Sequence, residues 1–228
     1  MARQLVSSLN EPLELVNIED IFTLVPELFK RSLWRWSPKK KDYRAVEQHN
    51  LSIPDAGRMK TFEQQYIPIV SQKLAPKTRH EILALAISAC QHTNIPVVLS
   101  AFPSAELLEI FMHEFLQSHK AQHDTWFHVT TFNPSVASIE LVAAIVAAGT
   151  MTTTCRAFQN FGLALQEVVR VVLPRNFEAD NTLTRDLQLL QAWALQVQIG
   201  LWSGDKRKME MAESFQPLLL HVVNLLAR

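Results

Sequence analysis

Four histidines, His113, His119, His123 and His128, fall within sixteen positions of one another. His119 and His123 stand four apart, the spacing that sets two imidazoles on one face of a helix. Zinc needs further cysteine, histidine or carboxylate ligands, and no ordered cluster of them lies alongside. His113-Glu114 opens like a zinc-protease signature, but Gln117 occupies the place of its second histidine. These histidines therefore read as surface or core residues. Cys90 and Cys155 lie 65 positions apart with no second thiol near either, which argues against a disulfide framework or a cysteine-based zinc site and suits a reducing compartment. No Gly-x-Ser-x-Gly elbow occurs, and neither Cys155 nor His128 has an evident orienting partner. The expectation is a chain with no catalytic, cofactor-binding or metal residues, and no enzyme.

Positive charge is the other chemistry on offer. Residues 30–79 hold twelve Lys and Arg against four Asp and Glu, whereas residues 80–228 hold nine against thirteen. The run Ser37-Pro38-Lys39-Lys40-Lys41, flanked by Lys30, Arg31, Arg35 and Arg44, fits a nuclear-import signal carried by Lys39, Lys40 and Lys41. Without aromatic interleaving or a groove-reading motif, the basic segment otherwise reads as a solvated linker. Lys206-Arg207-Lys208 stands at a helix start, where cations oppose the dipole; the default is a solvated first turn, the alternative a contact with an acidic surface. Of the tryptophans at 34, 36, 126, 193 and 202, Trp193 and Trp202 sit at helical spacing and are expected in the core or at its rim.

The elements that position these residues are helices. With 48% hydrophobic residues in 228, the chain can bury a core, and five glycines are too few for a turn-dense β fold or a phosphate loop. Residues 1–29 read as short amphipathic pieces broken by Pro12 and Pro26. From Lys30 to Lys77 the period is lost and prolines accumulate. A first helix after Pro76 is expected to end at Asn94-Ile95-Pro96, and a second starts at Ser104, a good N-cap. Val136–Ala148, apolar nearly all round, is expected to be central and to stop at Gly149. A fourth helix spans Thr153–Val172, ended by Pro174. A fifth spans Thr184–Trp202, with Leu187 among its inward residues. Asp205 caps a sixth, which Pro217 restarts or kinks before an apolar run to Leu226.

The fold class expected is all-α, an irregular multi-helix domain at 78–228 behind a loosely structured N-terminal segment and basic linker at 1–77. Met1–Ser8 has no secretory core, and Leu141–Ala148 is too short to cross a bilayer, so no membrane partner is expected. The pattern is still apolar at Arg228, so the domain is expected to be incomplete at its C-terminal end.

Five blocks, in order, carry a family resemblance. They are Phe102-Pro103-Ser104-Ala105-Glu106-Leu107-Leu108; Trp126-Phe127-His128-Val129-Thr130-Thr131-Phe132; Leu141 to Gly149; Arg185 to Ala192; and Leu201-Trp202-Ser203-Gly204-Asp205-Lys206-Arg207-Lys208-Met209-Glu210. Over roughly residues 78–228 the chain resembles the fungal-specific transcription factor domain, or middle homology region, of the branch attached to two-cysteine, two-histidine zinc fingers. The resemblance implies an all-helical regulatory region of a nuclear factor acting on RNA polymerase II transcription through self-association, co-regulators or inhibition. It implies no catalytic or ligand role, and reads His128 as joining the aromatic loop to the apolar helix. DNA and zinc belong to the fingers, whose closely spaced cysteine and histidine pairs occur nowhere in residues 1–228. The alternative is a stand-alone helical module that dimerises through Leu218–Leu226.

Overall fold

Proline opens the first long helix: Pro76 stands in its first turn, where a missing N–H costs nothing and the fixed φ suits the helix. The computed structural model of the chain describes residues 47–53, 73–121 and 126–226, all within one unit spanning Pro38–Arg228. Among those residues there are seven α-helices and no strand, so the all-α expectation holds. The helices are α1 (Pro76–Ala89), α2 (Ile95–Ala101), α3 (Ala105–Lys120), α4 (Ile139–Met151), α5 (Arg156–Ala179), α6 (Leu187–Leu201) and α7 (Lys206–Leu226). Short 3-10 turns lie at Gln48–Leu51, Val129–Thr131 and Asn181–Arg185.

Several ends follow local rules. Ser104 accepts a hydrogen bond from Leu107 N at 3.2 Å, and Glu106 adds an acid to the first turn of α3. Asp205 accepts from Lys208 N at 2.9 Å and so starts α7. Asp186 accepts from both Gln188 N and Leu189 N, at 2.7 and 3.2 Å, and starts α6. Replacing it (Asp186→Ala) is expected to lower stability by about 1 kcal/mol, seen as a melting point about 2–4 °C lower.

α4 is the hub. Leu141 to Ala147 are all buried, and the helix packs against α1, α3, α5 and α6. α6 and α5 pack together, and α7 lies on α6. Aromatic side chains fill the layer between α3 and α5, where Phe111 meets Phe158 edge to face at 5.0 Å and lies 6.2 Å from Phe161. Within the stretch read as linker, Gln48, Leu51 and Ile53 are buried against the helical body. Gln48 donates to Ala89 O at 3.1 Å and accepts from Gln91 N at 2.8 Å, and Ile53 N donates to Ala101 O at 2.8 Å.

Four local expectations need correction. Gly149 lies inside α4 and does not end it; a Cβ there would fall 1.7 Å from the Phe111 carbonyl oxygen, so the glycine serves a close helix crossing. Pro174 lies inside α5, which continues to Ala179. Val172 and Leu173 before it and Phe177 beyond it pack inward, Phe177 stacking on Trp193 at 5.3 Å, and that burial outweighs the lost hydrogen bond. Asn94-Ile95-Pro96 does not end α1, which already stops at Ala89, but opens α2. Leu187, the first residue of α6, is exposed, whereas Leu189 and Leu190 in the same turn face the core. No single helix among the described residues is long and apolar enough to cross a membrane.

Candidate functional site

The basic triplet at the start of α7 is where the structure departs furthest from a local reading. Lys208 is 4% exposed. Its ammonium makes an ion pair with Glu47 at 2.7 Å and donates to the Leu163 carbonyl at 3.1 Å. Arg207 donates to Glu167 Oε1 at 3.2 Å and faces Glu47 at 3.7 Å. The solvated first turn expected from sequence is thus replaced by an internal contact, because two carboxylates from distant elements compensate the cations that the helix dipole disfavours.

Glu167, on α5, is the centre of this cluster. Arg170, three residues on, grips it in a bidentate pair at 2.9 and 2.7 Å and extends over the Phe215 ring of α7. Burial by itself would raise the Glu167 carboxyl, but the hydrogen bond and charge of Arg170, with the charges of Lys208 and Arg207, hold it at about 2 against an ordinary 4.5. Beneath, Gln166 donates to the Gln196 carbonyl at 3.1 Å, joining α5 to α6. The Glu167/Arg170 spacing was a readable sequence signal for a helix pair; its capture of Arg207 was not.

The other candidate residues scatter. His113 is buried in α3, and desolvation lowers its basicity against an opposing pull from Glu109. His128 is exposed, and among the described residues its ring bonds within its own turn, to Thr131 Oγ1 at 2.9 Å and Thr130 Oγ1 at 3.2 Å. His123, Trp34, Trp36, Lys39, Lys40 and Lys41 lie outside the described residues. Cys90 and Cys155 are half-buried, at the end of α1 and before α5. Among the described residues no three His, Cys, Asp or Glu side chains converge as a metal site.

Trp193 is core, as expected, whereas Trp202 is 83% exposed. It stands at the C-terminal end of α6, on the rim of a groove of about 260 Å³ between α3, α4 and α6. His119 lines this groove, is 4% exposed and stacks on Phe115 at 5.3 Å.

The chain matches no protein-family model, no curated protein and no solved structure. What distinguishes its surface is α7. Phe215, Leu219 and Val222 pack towards the body, while Leu218, Leu220 and Val223 are about half exposed. At 100° per residue, Leu218 and Val223 flank the inward seam and Leu220 lies beyond it, so apolar surface extends further round α7 than its contact with the body requires.

Proposed function

We propose that this chain is the regulatory region of a fungal DNA-binding transcription factor, acting on RNA polymerase II transcription in the nucleus through protein contacts and without catalysis. The observation that carries the reading is the order of five sequence blocks resembling the fungal-specific transcription factor domain. Those blocks fall at the joints of the helical body: the entry to α3, the aromatic loop after it, α4, the entry to α6, and the turn from α6 to α7. Lys39, Lys40 and Lys41 serve nuclear import, DNA is read only by zinc fingers outside residues 1–228, and zinc belongs to those fingers.

The test is transcriptional. Fused to a foreign DNA-binding domain, or restored to the full-length gene, the chain alters reporter output; indifference in both contexts ends the reading. Replacing Leu218, Leu220 and Val223 together by serine is expected to reduce that effect several-fold. The melting point should change little, since half-exposed side chains contribute little to folding. An unchanged reporter would remove α7 from the mechanism.

The exposed apolar residues of α7 also favour a second reading, a stand-alone helical module that dimerises through this helix. Light scattering separates the two. A concentration-independent dimer that the same triple substitution turns into monomer supports the module, and a monomer at all concentrations excludes it.

A further inference from the structure

Three elements that meet beside the Glu47 cluster line a second cavity, of about 210 Å³. One wall is α5, whose Arg156, Asn160 and Leu163 stand at the i, i+4, i+7 spacing of a single helix face. Another is the turn Ser203-Gly204-Asp205 between α6 and α7, and the third is the segment 47–53, through Glu47 and Asn50. The buried charges here are matched: Lys208 pairs with Glu47 at 2.7 Å and donates to Leu163 O at 3.1 Å. The exposed ones are not. Arg156 and Asp205 line the same cavity with opposite charge, yet among the described residues neither forms an ion pair, with the other or elsewhere. Asp205 uses Oδ1 to cap α7, accepting from Lys208 N at 2.9 Å, which leaves Oδ2 available. Asn50 and Asn160 add two half-buried side-chain amides that no hydrogen bond among the described residues engages.

We propose that this cavity binds a small α-amino acid with an amide side chain, glutamine being the nearest fit. Among the described lining residues the formal charges cancel, Glu47 and Asp205 against Arg156 and Lys208, so a zwitterion suits the cavity better than an ion of either sign. Arg156 takes the α-carboxylate, to which its guanidinium offers two parallel N–H donors. Asp205 Oδ2 accepts from the α-ammonium. Asn50 and Asn160 each carry donors and an acceptor and so complement a primary amide, which carries the same groups. The volume is that of about seven waters, enough for one such molecule and too little for a peptide. Because Asn50 belongs to 47–53 and the other three contacts to the helical body, an occupant ties that segment down and steadies the first turn of α7 behind Asp205. The site needs nothing from the transcriptional reading and is tested apart from it.

The experiment is a calorimetric titration of the full chain with L-glutamine and three relatives: N-acetyl-L-glutamine, which lacks the ammonium; L-glutaminamide, which lacks the carboxylate; and L-norleucine, which lacks the side-chain amide. L-Glutamine is expected to bind saturably with a Kd of about 1 mM or below. The first two relatives should bind about tenfold or more weakly, the loss of one charge-assisted contact each, and norleucine several-fold more weakly. Asp205→Asn keeps the α7 cap, since asparagine caps a helix as well as aspartate, and is expected to remove the preference over the N-acetyl form while keeping that over the α-amide. Arg156→Gln, at an exposed position, should do the reverse. Hydrogen exchange supplies the second readout: saturating L-glutamine should slow the amides of 47–53 and of the first turn of α7. No saturable heat with L-glutamine would overturn the proposal. Equal affinity for glutamine, its N-acetyl form and its α-amide, or affinity that neither substitution changes, would overturn it too. So would binding that leaves exchange in 47–53 unaltered, because the ligand would then sit elsewhere.

Discussion

Glu167→Gln is expected to lower the unfolding free energy by about 3 kcal/mol near neutral pH and to flatten the acid side of the stability profile. The glutamine keeps the size of the side chain but removes the negative charge shared by Arg170, Arg207 and Lys208, leaving Glu47 alone opposite three cations. Removing one partner of a buried pair is costly because the remaining charges stay out of water without compensation, and the partial exposure of Arg170 and Arg207 puts the loss at the lower end of the usual range. The pH dependence follows from the depressed carboxyl. Its stabilisation is complete above its ordinary value of 4.5 and is lost as pH falls through about 2, because the unfolded chain takes up the proton first. Urea unfolding of wild type and variant across pH 2 to 7 reads this directly: the two curves should converge at the acid end. Parallel curves would show that the cluster contributes no stability through charge. The double variant Glu167→Gln/Arg207→Met should recover part of the loss, since it removes a cation along with its partner.

Gly149→Ala is expected to be at least as damaging. The added Cβ would lie 1.7 Å from the Phe111 carbonyl oxygen and 2.6 Å from its carbon, both backbone atoms of α3 that no rotamer change can move. Relief requires α3 and α4 to separate, which opens the core between them. The loss should be about 3 kcal/mol or more, the upper end of overpacking. Gly204→Ala makes the comparison. Nothing lies within 4 Å of a Cβ there, but φ is +70°, so only backbone strain of about 1 kcal/mol is expected. Denaturant melts that rank the two substitutions in the opposite order would contradict the close crossing of α3 and α4.

Much of the helical layout was legible without coordinates. Ser104 and Asp205 are caps because their side-chain oxygens reach N–H groups three residues ahead, an interaction contained within one turn. The central place of α4 followed from its composition, since a helix apolar all round has no face to offer water. Asp186 passed unrecognised because the 3-10 turn Asn181–Arg185 before it continues a helical pattern, and periodicity does not register the break.

The sites were less legible. Lys206-Arg207-Lys208 has the same local spelling whether solvated or buried, and its fate depends on Glu47 and Glu167, which arrive from other elements. His119 was read as one of a pair with His123; its stacking on Phe115 is local, but the groove it lines needs α4 and α6.

By itself, then, the amino-acid order determined the helical class, several helix ends and the apolar character of the central helix, because propensity, capping and periodicity act over about four residues. Tertiary structure alone decided that Gly149 is a contact rather than a terminus, that α5 runs through Pro174 and that a lysine is buried. Each of those outcomes depends on which distant backbone or charge comes to lie within a few ångströms, and that is settled only when the helices pack.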